Sequence, residues 1–182
     1  MVTANKAVIA RHGAEIAQAA AAAGVYVLIE AAVGGGIPII EPLKQSLGGN
    51  RINRVSGIIN GTTNYILTRM ADEGAAYADV LAEAQRLGYA EADPAADVDG
   101  LDAADKIAIL STLAFGGGVE RQSIPTEGIS RLQGKDVDYA RQLGYGVKLL
   151  AVAERMATSD TTADPLPPVS YTHLTLPTRC LG

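Results

Sequence analysis

Leu87-Gly-Tyr-Ala-Glu-Ala-Asp-Pro-Ala-Ala-Asp-Val-Asp-Gly-Leu-Asp-Ala-Ala-Asp-Lys106 sets a run of acids ahead of one lysine and leads straight into apolar Ile107 to Phe115. Asp93-Pro94 is a turn signal, Asp99 is a suitable helix N-cap, and the Ala/Leu/Ile content of Leu101 to Ala114 predicts a helix. On that helix Asp102 and Lys106 are neighbours at i,i+4, with the acid near the N-terminus, where the macrodipole favours negative charge. Such a pair is ordinarily a solvated contact worth roughly 0.2–0.5 kcal/mol. Here the continuation Ile107-Ala-Ile-Leu-Ser-Thr-Leu-Ala-Phe115 predicts a helix buried on most sides. A lysine at its mouth is then partly desolvated, the setting of a proton-transfer group. Glu91 precedes the turn and can fold back over the same face.

Outward from this block, Tyr77 to Leu87 carries Val80, Leu81, Ala84 and Leu87 at helical spacing and ends at Gly88, so it delivers Gly88 to Glu91 into position. Towards the N-terminus, Ala7 to Ala23 reads as a helix, Gly24 as its C-cap and Val25 to Ile29 as a buried strand, the end of an α/β unit. No Gly-x-Gly-x-x-Gly follows a strand, so the phosphate-binding turn of a dinucleotide fold is absent from the chain. Gly34-Gly-Gly-Ile-Pro38 forces a tight turn before a helix over about Ile39 to Leu47. It reads either as a plain loop or as a close approach to a ligand. Arg51 to Ile59 reads as a strand, Asn60-Gly61 as a turn, and Thr62 to Met70 as a helix started by Thr62, Thr63 and Asn64; this stretch is scaffold. After a break at Gly116 to Gly118, Ser123 to Arg131 reads as a loop with a short strand. Asp136 to Leu143 is a helix capped by Gly144, and Val147 to Ala153 a strand.

Beyond about Arg155 the composition changes. Thr158 to Pro168 is rich in Thr, Asp and Pro and reads as unstructured, and Val169 to Thr178 looks like translated adapter or vector sequence, set aside from fold reasoning. The chain has 182 residues, 48% of them hydrophobic, enough for one substantial core. A net charge of −5 without a dense Lys/Arg cluster argues against nucleic acid as a partner. The apolar stretches fall short of a membrane span and no signal peptide is evident, so cytoplasmic is the default. The one cysteine, Cys180, supplies neither disulfide nor metal cluster. His12 and His173 lack partners, and Ser56, Ser111 and Ser123 lack a Gly-x-Ser-x-Gly context.

The block Gly88-Tyr-Ala-Glu-Ala-Asp-Pro94, followed by Asp97-Val-Asp-Gly-Leu-Asp-Ala-Ala-Asp-Lys106, closely resembles the signature of homoserine dehydrogenases. Three further stretches agree in order: Val2-Thr-Ala-Asn-Lys6, Glu30-Ala-Ala-Val-Gly-Gly-Gly-Ile-Pro-Ile39 and Gly57-Ile-Ile-Asn-Gly-Thr-Thr-Asn-Tyr-Ile-Leu67. Four ordered matches across roughly residues 1 to 155 are far more specific than one short motif.

The resemblance implies an α/β (α+β) chain: the end of a Rossmann-type unit at 1–33, then a mixed-sheet catalytic and dimerisation domain at 34–155 with helices packed on one face. Residues 156–182 are expected to be a disordered, non-native tail. It places the phosphate-binding turn upstream of Met1, so the chain is expected to be truncated at both flanks and inactive by itself. The implied parent is an NAD- or NADP-dependent oxidoreductase interconverting L-homoserine and L-aspartate 4-semialdehyde on the route to threonine, methionine and isoleucine, assembled as a homodimer or homotetramer. By resemblance Lys106 is the proton donor and acceptor, and Lys6 is a second lysine near nicotinamide and substrate. Glu91 and Asp102 hold the substrate's amino group, Asp97 orients the others, and Gly88 approaches the cofactor. Main-chain oxygens of Glu30, Val33, Gly35 and Ile37 would hold Na+ or K+, hard cations suited to carbonyl ligands. The alternative is a non-catalytic structural or oligomerising domain that binds no cofactor.

Overall fold

The structure is a computed structural model that describes residues 1–155 and the backbone of 169–175. The Thr158 to Pro168 stretch, residues 176–178 and Cys180 lie outside the described residues. Helix α1 (Lys6–Ala22) is followed by a short 3-10 turn (Glu30–Ala32) and a π-helical turn (Pro42–Ser46). Then come β1 (Arg54–Gly57), α2 (Gly61–Glu73), α3 (Tyr77–Arg86), the single-turn α4 (Ala95–Val98) and α5 (Leu101–Phe115). A 3-10 turn (Arg121–Ser123) leads to α6 (Gly134–Gln142), β2 (Lys148–Glu154) and β3 (Val169–Thr175). The fold is α/β, built on a three-stranded antiparallel sheet in the order β1-β2-β3.

Helix α5 is the centre of the molecule. Ala103, Ala104, Ile107, Ala108, Ile109 and Leu110 are all buried, so it is apolar nearly all round, as the composition of 107–115 predicts. It packs against α1 and all three strands, while α2 lies against β2. Alternate residues Leu149, Ala151 and Ala153 place one face of β2 in the core, and α2 contributes Ile66, Leu67 and Met70. Each fully buried side chain of this size is worth about 2 kcal/mol over leaving it exposed.

Four readings are corrected. Val25 to Ile29 forms no buried strand; Val2 and Leu28 make one isolated parallel bridge, and Tyr26 is 85% exposed. A parallel strand is buried only where neighbours cover both its faces, and among the described residues only Met1 to Thr3 runs beside it. Asp99 does not cap α5: Gly100, at φ 80°, occupies the N-cap, and Asp99 accepts from the Ser130 hydroxyl at 2.8 Å. A left-handed residue is needed because only two residues, Asp99 and Gly100, separate the end of α4 from the start of α5, and glycine adopts that conformation freely. Helix α2 is capped earlier than Thr62 to Asn64 suggest, by the Asn60 side chain on the Thr63 amide at 2.8 Å. Over Ser123 to Arg131 the expected short strand is reduced to a single bridge residue, Thr126, after a 3-10 turn that ends at Ser123.

Residues 169–175, set aside with the tail, pair with β2 along its length, from Lys148 opposite Thr175 to Glu154 opposite Val169. Their Val, Tyr and Thr content suits an extended chain.

Candidate active site

The site forms where α5 meets the start of α1 and the β1–α2 connection. In Val2-Thr-Ala-Asn-Lys6, the Thr3 hydroxyl accepts from the Asn5 amide at 3.1 Å, and the Asn5 side chain caps α1 by accepting from Val8 N at 3.2 Å. Capping fixes where the helix begins and so aims its first residue, Lys6, at α5. The Lys6 ammonium lies 2.9 Å from Asp102 Oδ1. Lys106 Nζ donates to Asp102 Oδ2 at 2.7 Å and to the Ile59 carbonyl at 2.8 Å.

The Asn60 amide donates to Asp102 Oδ2 at 2.9 Å and to Asp97 Oδ1 at 2.7 Å. Asp102 is 6% exposed, against 18% for the Lys106 side chain and 39% for Lys6. Burial alone would push the Asp102 carboxyl up, but the hydrogen bonds from Lys106, Asn60 and Lys6 outweigh it, and its pKa lies below the ordinary range. The bond to Asp102 raises the Lys6 pKa above the ordinary lysine value against the opposing effect of burial.

The expected group Lys6, Asp97, Asp102 and Lys106 is therefore brought together. Asn60 and the Ile59 carbonyl were missed as members. The Asn ahead of Gly-Thr-Thr was the available signal, being a strong N-cap type, but nothing local shows that its other amide face meets two acids.

Glu91 makes no side-chain hydrogen bond or ion pair among the described residues and is exposed. Its main chain is fixed instead: Gln85 Nε2 donates to the carbonyls of Glu91 and Ala92 at 3.1 and 3.2 Å. Thr62 Oγ1 donates to the Tyr89 carbonyl at 2.8 Å, and the Tyr89 ring meets Tyr65 edge-on with centroids 5.2 Å apart. Gly88 ends α3 at φ 77°, on open surface where nothing lies within 4 Å of an added Cβ.

In the Glu30 to Ile39 loop the Glu30 carboxylate accepts from the amides of Ile39, Ile40 and Glu41 at 2.6, 2.9 and 2.8 Å, an anion at a helix start. Desolvation would raise its pKa, but these three bonds lower it overall. An added Cβ on Gly34 would sit 2.9 Å from the Ile37 carbonyl oxygen, so only glycine fits. Among the described residues the carbonyls of Val33, Gly35 and Ile37 accept no hydrogen bond, while that of Glu30 takes a long one from Val33 at 3.4 Å. Unengaged carbonyls in a tight loop suit a hard monovalent cation.

Other features carry no chemistry. Asp105, next to Lys106, is tied up by Arg121 at 2.5 Å, and the exposed His12 has only Glu15 beside it, at 3.5 Å. Among the described residues there is no cluster of three or more His, Cys, Asp or Glu placed to hold a metal, and no helix long and apolar enough to cross a membrane.

The family model for homoserine dehydrogenase matches residues 38–174, past Arg155 and into β3. The homoserine dehydrogenase of Synechocystis is 65% identical over 163 residues, 90% of this chain, and that of Pseudomonas aeruginosa 56% identical over 155 residues, 85% of it. The crystal structure of a homoserine dehydrogenase from Thiobacillus denitrificans superposes with a TM-score of 0.89 at 52% identity, covering 96% of this chain and 39% of that one. The chain spans 38% of the Synechocystis protein and 36% of the Pseudomonas one. With this identity across nine-tenths of its length, the chain belongs to the homoserine dehydrogenase family.

Proposed function

We propose that this chain supplies the substrate and proton-transfer side of an NAD(P)-dependent oxidoreductase that interconverts L-homoserine and L-aspartate 4-semialdehyde, on the route from aspartate to threonine, methionine and isoleucine. The observation that carries the reading is one buried carboxylate, Asp102, holding both Lys6 and Lys106 within 2.9 Å. The nicotinamide cofactor, when bound, accepts hydride from the alcohol carbon or delivers it to the aldehyde carbon. The residues present fit its nicotinamide end only: Lys6 and the open surface at Gly88 suit it, whereas this chain has no glycine-rich turn for the pyrophosphate.

In the oxidative direction Lys106, as the neutral amine, takes the hydroxyl proton as hydride leaves the same carbon, and in the reductive direction, as the ammonium, it returns a proton to the oxygen on which negative charge builds. Lys6 stays an ammonium and stabilises that charge, because its pKa is raised. Asp102 already has three donors on its two oxygens, so its role shifts from holding the substrate to aiming the lysines, with Asp97 steadying it through Asn60. The substrate's ammonium group then falls to Glu91, whose carboxylate is exposed. The carbonyls of Glu30, Val33, Gly35 and Ile37 would hold Na+ or K+, and a homodimer or homotetramer would be the assembly.

Titrating the chain with L-homoserine while following its amide resonances tests this reading. Saturable shifts around Glu91 and Lys106, weakened about tenfold in Glu91→Gln as for loss of a hydrogen bond to a charged group, support it. Unshifted resonances at millimolar L-homoserine would remove it. The second reading, a structural or oligomerising domain, rests on the missing phosphate-binding turn; L-homoserine binding without any binding of NADPH would leave this chain the substrate half alone.

A further inference from the structure

Asn60 fills its whole hydrogen-bonding capacity inside the site. It is 5% exposed. Its side-chain nitrogen donates to Asp97 and Asp102, and its oxygen accepts from the amide and the hydroxyl of Thr63, at 2.8 and 2.9 Å. A neutral amide is the side chain that can do both, since it alone offers two donors and two acceptors at one branch point without adding charge. The preceding residue, Ile59, gives its carbonyl to Lys106, so two of the three residues between β1 and α2 reach the lysine and both acids.

We propose that Asn60 is the positioning residue of this site: by bridging Asp97 and Asp102 it fixes the direction in which Asp102 presents its oxygens and thereby where Lys6 and Lys106 hold their ammonium groups. Its capping of α2 makes this bridge rigid, because the same side chain cannot turn without breaking the helix start. Asp102 faces Lys6 from α1, Lys106 from its own helix and Asp97 from α4 through the Asn60 bridge. Asp105 is a neighbouring acid, compensated by Arg121. With Asn60 removed, Asp97 and Asp102 face each other as like charges with no donor between them.

The inference rests on the proposed function for its catalytic meaning, but its test does not. Asn60→Asp and Asn60→Ser both keep a good helix-capping oxygen. Neither can donate to two carboxylates at once, and Asn60→Ser adds no charge. In the whole chain, carboxyl 13C resonances against pH should show the Asp102 midpoint rising in both variants, by about one unit or more in Asn60→Asp, where a third acid joins the pair. Hydrogen-exchange protection of the α2 amides should persist. An Asp102 midpoint unmoved in Asn60→Ser would overturn the proposal and leave Asn60 a helix cap. If wild-type chain fails to bind L-homoserine, the functional reading falls while the carboxyl titration still decides the role of Asn60. If it binds, affinity should drop about tenfold in Asn60→Ser, and unchanged affinity would count against positioning.

Discussion

Lys6 and Lys106 share one carboxylate: Asp102 takes the first on Oδ1 at 2.9 Å and the second on Oδ2 at 2.7 Å. Two ammonium groups held this close repel one another, and the buried anion between them offsets that repulsion. One acid therefore sets the position of both cations, and the two lysines act as a unit.

Replacing Lys106 by Ala, in an enzyme of full family length that carries this chain, should lower turnover by about 100-fold or more, as for loss of a positioned acid/base. Lys106→Arg should not restore it, because a guanidinium keeps the charge but does not release its proton. Initial-rate assays check both, and near-normal turnover in Lys106→Ala would make the residue structural.

Asp102→Ala should cost about 2–3 kcal/mol of stability, the low end for breaking a buried pair because Lys6 is 39% exposed and screened by solvent. The folded Asp102 pKa lies below the ordinary 3.8, so its contribution is complete above 3.8 and is lost as pH falls through the depressed value. The folded Lys6 pKa lies above 10.5, so its share is complete below 10.5 and is lost as pH rises through the raised value. Denaturant titrations should show the difference between wild type and Asp102→Ala flat between those limits and shrinking at both ends. A difference that persists into strong acid contradicts the ion pairs.

Glu30→Gln should lower the melting temperature at neutral pH, because a neutral amide oxygen replaces an anion at three backbone amides. The Glu30 pKa is lowered from 4.5, so its contribution is present above that pH and fades as acid protonates the group. Melting curves at neutral and acid pH should therefore converge. Exchanging K+ and Na+ for choline at fixed ionic strength separately tests the carbonyls of the same loop; a melting temperature indifferent to the exchange argues against cation binding there.

Gly128→Ala should be among the more damaging single-methyl changes, at about 2 kcal/mol or more. An added Cβ would collide with the Val98 carbonyl and the Asp99 backbone, and the adjoining Ile129 amide donates to that same carbonyl at 2.6 Å. The displaced segment leads through Gly100 into Asp102, so L-homoserine affinity should fall along with stability. Urea titration and ligand titration on one sample check both; loss of neither would mean the loop yields without reaching the site.

The helices α1, α3, α5 and α6 were legible because each carries a clear apolar pattern ended by glycine or a change of composition. Val25 to Ile29 was misread because strand propensity reports only a fit to a half-buried surface, and here that surface is missing among the described residues. The Gly100 and Asn60 caps were misplaced by one or more residues because several capping types stand together at both sites.

The Asp102–Lys106 pair and the burial of α5 follow from the sequence by itself, since i,i+4 geometry is fixed within one helix and the apolar run after Lys106 leaves no solvated face. The four ordered motifs likewise carried the family. Only the tertiary structure decided that Lys6, from α1, and Asn60, from the β1–α2 connection, complete the site, and that Asp102 is saturated by them. These contacts join segments far apart in sequence, and they exist because α1 and the β1–α2 region pack their apolar sides on α5, a long-range choice that no local spacing encodes.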